Sequence, residues 1–387
     1  MKQGFGNKKL PWEGREPLYE YVKKNLKKGK GIILGDDKDL PDNAPTRTDM
    51  GYYDPGCDDY WDLYANPEKE VNPKFIKRLV DLFASYSQQG KIEDKIKFYN
   101  TLKDNPVVGY WDEFLDELSS RELPYEQDGV ELVHWMVQEA PDREVVKLGI
   151  ILLGIMRDPE NLTILKTIGK HDEFTYYVGQ SLMQMTPMWD IILVDIIKPL
   201  CGFGRALAVM MLLYESEREE IRKWCVRHGF QKFYASDLIM WDCVEQGNML
   251  KELRREEWDE SLLEATQIVV KDLLIKGRRG GGYKFGGEII CLYLKHTIGK
   301  RRGYVQYLLL DKLAEYLEET ADNKSLISNL GFTEEEFSDV WIDVKREIKK
   351  PWFLKIKSNE EPSEECPYGT RHLCERAFGK LEWGGVD

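Results

Sequence analysis

Apolar side chains recur at helical spacing along most of this chain, in segments separated by short polar breaks. No segment has the alternation typical of a sheet, apart from one short strand predicted at 32–34. The fold class is therefore predicted to be all-α. The predicted helices are 17–28, 74–89, 92–103, 107–121, 126–139, 143–156, 159–168, 173–185, 188–198, 203–214, 218–228, 233–245, 260–276, 286–297, 303–319 and 334–349.

Start and stop signals mark several of these helices. Asp158 precedes a first-turn proline and is predicted to be an N-cap. Thr333 with Glu336 forms the pattern of a capping box. Gly229 and Gly277 are predicted to end their helices at the C′ position. Residues 30–73 are rich in Asp, Pro, Gly and Asn, which predicts a long irregular segment that is functional or packed over a core.

A shift of 59 residues places segment 146–174 over segment 205–233. Apolar positions then coincide, for example Leu148 with Leu207, and the acidic turn RDPEN falls on ESERE. The alignment indicates that a helix pair with a short turn recurs.

These recurring pairs, with an L-x-x-L core and an acidic turn, resemble the HEAT and armadillo-type α-solenoids. The resemblance covers residues 125–350 and implies helix pairs that stack on their neighbours, with inner helices lining a concave groove that binds a macromolecule. It gives three regions: 1–124, helical with a long loop; 125–350, the HEAT-like helical repeats; and 351–387, a tail with a short helix.

The groove is expected to recognise a protein or peptide through polar and aromatic side chains on alternate helices. In the helix that begins at 173, Asp172 is the expected cap, and Tyr176 and Gln180 are expected to share an exposed face. The candidate contact residues are Tyr176, Gln180, Arg205, Arg222, Trp241, Asp242, Arg278, Arg279 and Lys284.

The last three candidates belong to the stretch RRGGGYKFGG at 278–287. Its glycine spacing matches neither a Walker loop nor the dinucleotide pattern, because Tyr283 replaces the Walker lysine and Phe285 replaces the third glycine. The stretch is interpreted as a flexible corner between helices. A clamp for an anion, built from Arg278, Arg279 and Lys284, is the alternative.

Metal and cofactor chemistry is not predicted. His171 and Glu173 form an H-x-E pattern, but Glu173 is also suited to the start of a helix. The tail residues Cys366, His372 and Cys374 lack the paired spacing of structural zinc sites. The acidic run 35–43 and the pair Asp58-Asp59 are interpreted as solvated loop charge. We expect no metal and no cofactor.

Composition limits the function classes. The net charge is −13, which opposes nucleic-acid binding. Seven scattered cysteines indicate a reducing compartment, the N-terminus has no apolar signal region, and the most apolar stretch, 145–156, is too short for a membrane span. The sequence predicts a cytoplasmic, non-catalytic binding scaffold. The alternatives are an oxidoreductase or hydrolase with a pocket between the N-terminal region and the solenoid, and a nucleic-acid-binding protein similar to the HEAT-like alkylated-DNA glycosylases.

Overall fold

The computed structural model describes residues 9–26, 40–42, 44, 54–64, 71–121, 127–231, 237–278, 283–322 and 325–358. In this part of the chain every regular element is a helix, which confirms the all-α prediction. The helices are α1 Leu18–Asn25, α2 Cys57–Tyr64, α3 Pro73–Gln89, α4 Ile92–Leu102, α5 Trp111–Ser120, α6 Gln127–Gln138, α7 Arg143–Met156, α8 Leu162–Ile168, α9 Asp172–Met185, α10 Trp189–Ile197, α11 Phe203–Glu215, α12 Glu219–Trp224, α13 Asp237–Glu245, α14 Met249–Leu253, α15 Glu260–Arg278, α16 Gly286–Thr297, α17 Tyr304–Asp322, α18 Ser325–Asn329, α19 Glu334–Glu347 and α20 Pro351–Lys357.

The structure confirms most predicted helices, and α7 and α16 have the predicted bounds. Three short helices were not predicted: α2, α14 and α18. The short helix expected in the tail, around Leu373 and Phe378, lies outside the described residues, and α20 lies at the start of the tail. Three predicted helices divide. The 107–121 segment begins with a separate 3-10 turn at Val107–Gly109, and the 159–168 segment begins with one at Pro159–Asn161. The 218–228 segment continues from α12 into a π-helix at Cys225–Gly229. The strand predicted at 32–34 lies outside the described residues.

Helix-end chemistry was predicted with mixed success. The Asp158 cap is confirmed, since its Oδ1 accepts a hydrogen bond from Glu160 N at 2.9 Å. The capping box of α19 is also confirmed. The prediction that Gly229 and Gly277 occupy C′ positions was wrong, because Gly229 is the last residue of the π-helix and α15 continues through Gly277. A glycine can stay inside a helix when packing supplies the stability that its backbone entropy removes.

The chain forms two compact units. The first contains Met1–Ile221 and Lys232–Ile239, and the second contains Arg222–Gln231 and Met240–Asp387. The boundaries predicted at 124 and 350 stay predictions, because compactness does not test which segments fold independently. No helix in the described ranges combines the length and apolar character needed to span a bilayer.

The first unit is centred on α7, in which every residue from Arg143 to Gly154 is buried. This helix packs against α6 on one side and α9 on the other, and α9 in turn packs against α10 and α11. Helices α3, α4 and α5 form a group that joins the core through α6. A helix that is buried on every side must be surrounded by other helices, which explains the central position of α7.

The second unit is centred on α15, which packs against α16, α17, α18 and the π-helix. Three buried polar side chains on α16 and α17 of this unit are hydrogen-bonded to one another. Tyr293 Oη donates to Gln306 Oε1 at 2.5 Å, and Gln306 Nε2 donates to Thr297 Oγ1 at 3.1 Å. Satisfied buried groups of this kind fix the register of α16 on α17.

Candidate functional site

Several sequence candidates of the first unit meet in a buried cluster of charges beneath α2. Its centre is Lys147 of α7, whose side chain is fully buried. Lys147 Nζ lies 2.7 Å from Glu173 Oε1, 2.8 Å from Asp59 Oδ2 and 3.0 Å from Glu144 Oε1. Asp59 belongs to α2 and also accepts a hydrogen bond from Tyr177 Oη at 3.0 Å. One ammonium group therefore joins carboxylates from three helices.

Arg143, one turn before Lys147, extends the cluster. Its guanidinium binds Asp42 Oδ1 at 2.6 Å and lies 3.6 Å from Glu173 Oε1. Gly56 N donates to Glu173 Oε2 at 3.0 Å. Burial raises the pKa of Glu173, but the charges of Lys147 and Arg143 outweigh it and hold the pKa well below its ordinary value. Glu173 is therefore ionised in the folded protein.

The pKa of Asp172 is shifted in the opposite direction to that of Glu173. Its carboxylate accepts a hydrogen bond from Arg205 N at 2.8 Å. Burial raises the pKa of Asp172 to about 7, although the backbone donor and the charge of Arg205 act against the rise. Arg205 is also buried, and its Nη1 donates to Ile197 O at 2.6 Å. Neighbouring carboxyl groups in this cluster thus differ in protonation because one has two adjacent cations and the other has mainly desolvation.

The cluster docks the chain segment around α2 onto α7, α9 and α11. Asp42 and Asp59 were expected to be solvated, and this expectation was wrong: both side chains are almost fully buried in ion pairs. The long irregular segment is packed over a core, as predicted, in the parts that the structure describes. The sequence reasoning missed Lys147, although a lone lysine inside the apolar run VVKLGIILL is a signal of a paired buried charge.

The prediction that Tyr176 and Gln180 share an exposed face of α9 was wrong. Tyr176 is 9% exposed and Gln180 is half-buried, because α9 is enclosed by α7, α10 and α11. Burial raises the pKa of Tyr176 to about 12. Arg205 is buried as well, so these side chains lie in the core. Their predicted role in binding a partner stays a prediction.

The H-x-E pattern serves the start of α9. His171, and not Asp172 as expected, caps the helix, since its Nδ1 accepts from Glu173 N at 3.2 Å. The Glu173 carboxylate is bound to Lys147. Within the described ranges no group of three or more His, Cys, Asp or Glu side chains is arranged to hold a metal ion. The tail residues Cys366, His372 and Cys374 lie outside those ranges.

The candidates of the second unit are dispersed. Arg222 is exposed on α12, and Asp242 is half-buried on α13. Trp241 Nε1 donates to Asp272 Oδ2 at 3.1 Å. Lys284 is exposed, with Nζ 4.8 Å from the Phe285 ring centroid. Arg278 ends α15, but its side chain and the whole of Arg279 fall outside the description, so the proposed anion clamp is untested.

An open cleft in the second unit offers a site that the sequence reasoning did not single out. Its volume is about 810 Å³, and it lies between α15, the loop 299–303 and the start of α17. Glu260 and Glu264 line the α15 side, and Lys300, Arg301 and Arg302 line the loop side. Arg301 Nη2 reaches Glu260 Oε2 at 2.7 Å. The cleft therefore has one acidic and one basic wall.

A smaller cavity of about 280 Å³ adjoins the cleft and shares Leu263, Lys300 and Arg301 with it. Trp258 and His296 stack in its wall, with ring centroids 4.2 Å apart. Burial lowers the pKa of His296, and the nearby Lys300 lowers it further. The uninterrupted stretch G-K-R-R-G between two predicted helices is the sequence signal that could have drawn attention to this site.

No family model, curated protein or solved structure gives a significant match to this chain.

Proposed function

We propose that this protein is a non-catalytic binding scaffold of the cytoplasm, with HEAT-like helix pairs and a protein or peptide partner. The 59-residue repeat supports the pairing: α7 ends at Met156 and α11 at Glu215, and 215 − 156 = 59. The cysteines at 57, 201, 225, 243 and 291 form no disulfide with one another in the described part of the chain, which supports the proposed reducing compartment.

The open cleft of the second unit carries the proposal. Lys300 and Arg302 make no ion pair with any described residue, and both are exposed. In the first unit, by contrast, the buried charges of Lys147 and Arg143 are paired with buried carboxylates. We therefore propose the cleft as the partner surface, rather than the buried face of α9 and α11 that α2 covers. Opposed acidic and basic walls suit a peptide segment that carries charges of both signs.

Peptide selection tests the proposal. A random peptide library is displayed against the wild-type protein, and enriched peptides are then titrated against Arg302→Glu and Lys300→Glu. We expect each variant to weaken binding at least about tenfold, since each reverses one charge in the basic wall. Lys349→Glu, at another exposed lysine of the second unit, is the matched control and leaves binding unchanged. Peptides that bind all three variants as well as the wild type would refute the placement of the site.

A further inference from the structure

The Lys95 ammonium of the first unit sits among aromatic rings. Lys95 Nζ lies 3.6 Å from the ring centroid of Trp135, 5.4 Å from that of Trp12 and 6.0 Å from that of Tyr86. The lysine is buried, whereas each of the three aromatic residues is partly exposed. Trp12, Tyr86 and Trp135 therefore form an aromatic cage that is open at its rim and filled by a cation of the same chain.

The Lys95 ammonium group has few stabilising interactions besides its contacts with the rings. It forms no ion pair or hydrogen bond with a described residue, and Glu139 acts on it only through its charge. Burial lowers the pKa of Lys95 to about 8, which the charge of Glu139 partly opposes. A primary ammonium is strongly hydrated, so its burial among the rings carries a desolvation cost.

The cage is braced by packing and by an ion pair. The Trp12 and Trp135 centroids are 4.7 Å apart with the ring planes at 61°, and Trp12 also packs edge-on against Tyr99. Tyr99 Oη donates to the Asp142 carboxylate, which Arg15 binds at 2.7 Å. This support holds two of the cage walls in position without Lys95.

We propose that Trp12, Tyr86 and Trp135 form a binding site for an alkylated ammonium group, the group carried by a methylated lysine side chain of a partner, and that Lys95 occupies the site in its absence. Methyl groups weaken hydration and enlarge the surface that contacts the rings, while the positive charge stays. An alkylated ammonium therefore replaces Lys95 at a smaller desolvation penalty. The site is separate from the cleft of the second unit and does not depend on the function proposed for it.

Titration of Lys95→Ala and Lys95→Met tests the proposal. Alanine empties the cage, whereas methionine keeps it filled with an uncharged side chain. A trimethyllysine peptide, the same peptide unmethylated, and choline are titrated into each variant and the wild type, with tryptophan fluorescence as the readout. Circular dichroism confirms that each variant is folded.

We expect Lys95→Ala to bind the trimethyllysine peptide roughly tenfold more tightly than the wild type does, and to prefer it over the unmethylated peptide. Lys95→Met is expected to bind weakly, and Lys95→Ala combined with Trp135→Ala is expected to lose the preference. Choline binding as tight as that of the peptide would assign the site to free alkylammonium compounds and overturn the peptide partner. A folded Lys95→Ala protein without any preference for methylated ligands would overturn the site itself.

Discussion

Replacing Lys147 by methionine is the sharpest test of the buried cluster. The substitution preserves most of the side-chain volume and removes the charge that Asp59, Glu144 and Glu173 share at 2.7–3.0 Å. We expect the free energy of unfolding of the first unit to fall by about 3–5 kcal/mol, the typical loss when one member of a buried ion pair is removed.

The three carboxylates retain other partners, which keeps the expected loss inside that range. Glu173 still accepts from Gly56 N at 3.0 Å, Glu144 from Val107 N at 2.7 Å, and Asp59 from Tyr177 Oη at 3.0 Å. These donors are neutral, however, and cannot replace a cation that served all three groups.

Urea denaturation at pH 7 measures the loss, and hydrogen exchange of peptides from α7 and α9 assigns it to the first unit. Lys198→Met is the control, because Lys198 pairs with Asp195 at 2.7 Å while both side chains are more than half exposed. A surface pair of this kind contributes at most about 1 kcal/mol.

The pH dependence adds a second criterion. The wild-type pKa of Glu173 is depressed, so its stabilising contribution is present above the ordinary pKa and is lost only as pH falls through the folded value. Without Lys147, Arg143 at 3.6 Å is the remaining cation that opposes the effect of burial, so the pKa of Glu173 in the folded state rises. The stability deficit of the variant relative to the wild type is therefore expected to shrink as pH falls from 7 to 5. A loss below about 1 kcal/mol at pH 7, or a loss independent of pH, would refute the charge-cluster reasoning.

Two further substitutions test the docking of α2 and the protonation of the cluster. Gly56 has a φ of +79°, and a Cβ there would lie 2.9 Å from Gly204 N. Gly56→Ala should therefore loosen α2 and raise the alkylation rate of buried Cys57 about tenfold. Gly14→Ala, at a φ of +76° without backbone crowding, should leave the alkylation rate of Cys57 unchanged. Equal rates in both variants would contradict the close approach. Asp172 has a pKa raised to about 7, so the native state takes up a proton between the ordinary pKa and pH 7 and its stability falls as pH rises through that window. Asp172→Asn should remove this loss of stability. The urea midpoint of the variant should therefore rise relative to that of the wild type as pH increases from 5 to 8. A constant difference between the two midpoints across that range would count against a protonated Asp172.

The positions of the long helices follow from local sequence. The bounds of α7 and α16 were predicted from periodicity, and the capping box of α19 from its first residues, because these signals act between neighbours in the chain. Helix α2 was not predicted. Its eight residues, CDDYWDLY, are too few to form a stable helix alone, and the helix depends on packing against α11 and on the bond from Asp59 to Lys147.

The candidate sites show the same contrast between features that local sequence predicts and features that depend on packing. The charged positions can be read directly from the sequence, which also predicted Glu173 and Arg205 near helix starts. Their burial results from helices that pack from distant parts of the chain. The cleft in the second unit likewise needs α15 and the loop 299–303, which come together only on folding. Helix formation depends on contacts within a few residues, whereas burial, ion pairing and cavity shape depend on contacts between remote segments, which form only when the whole chain folds.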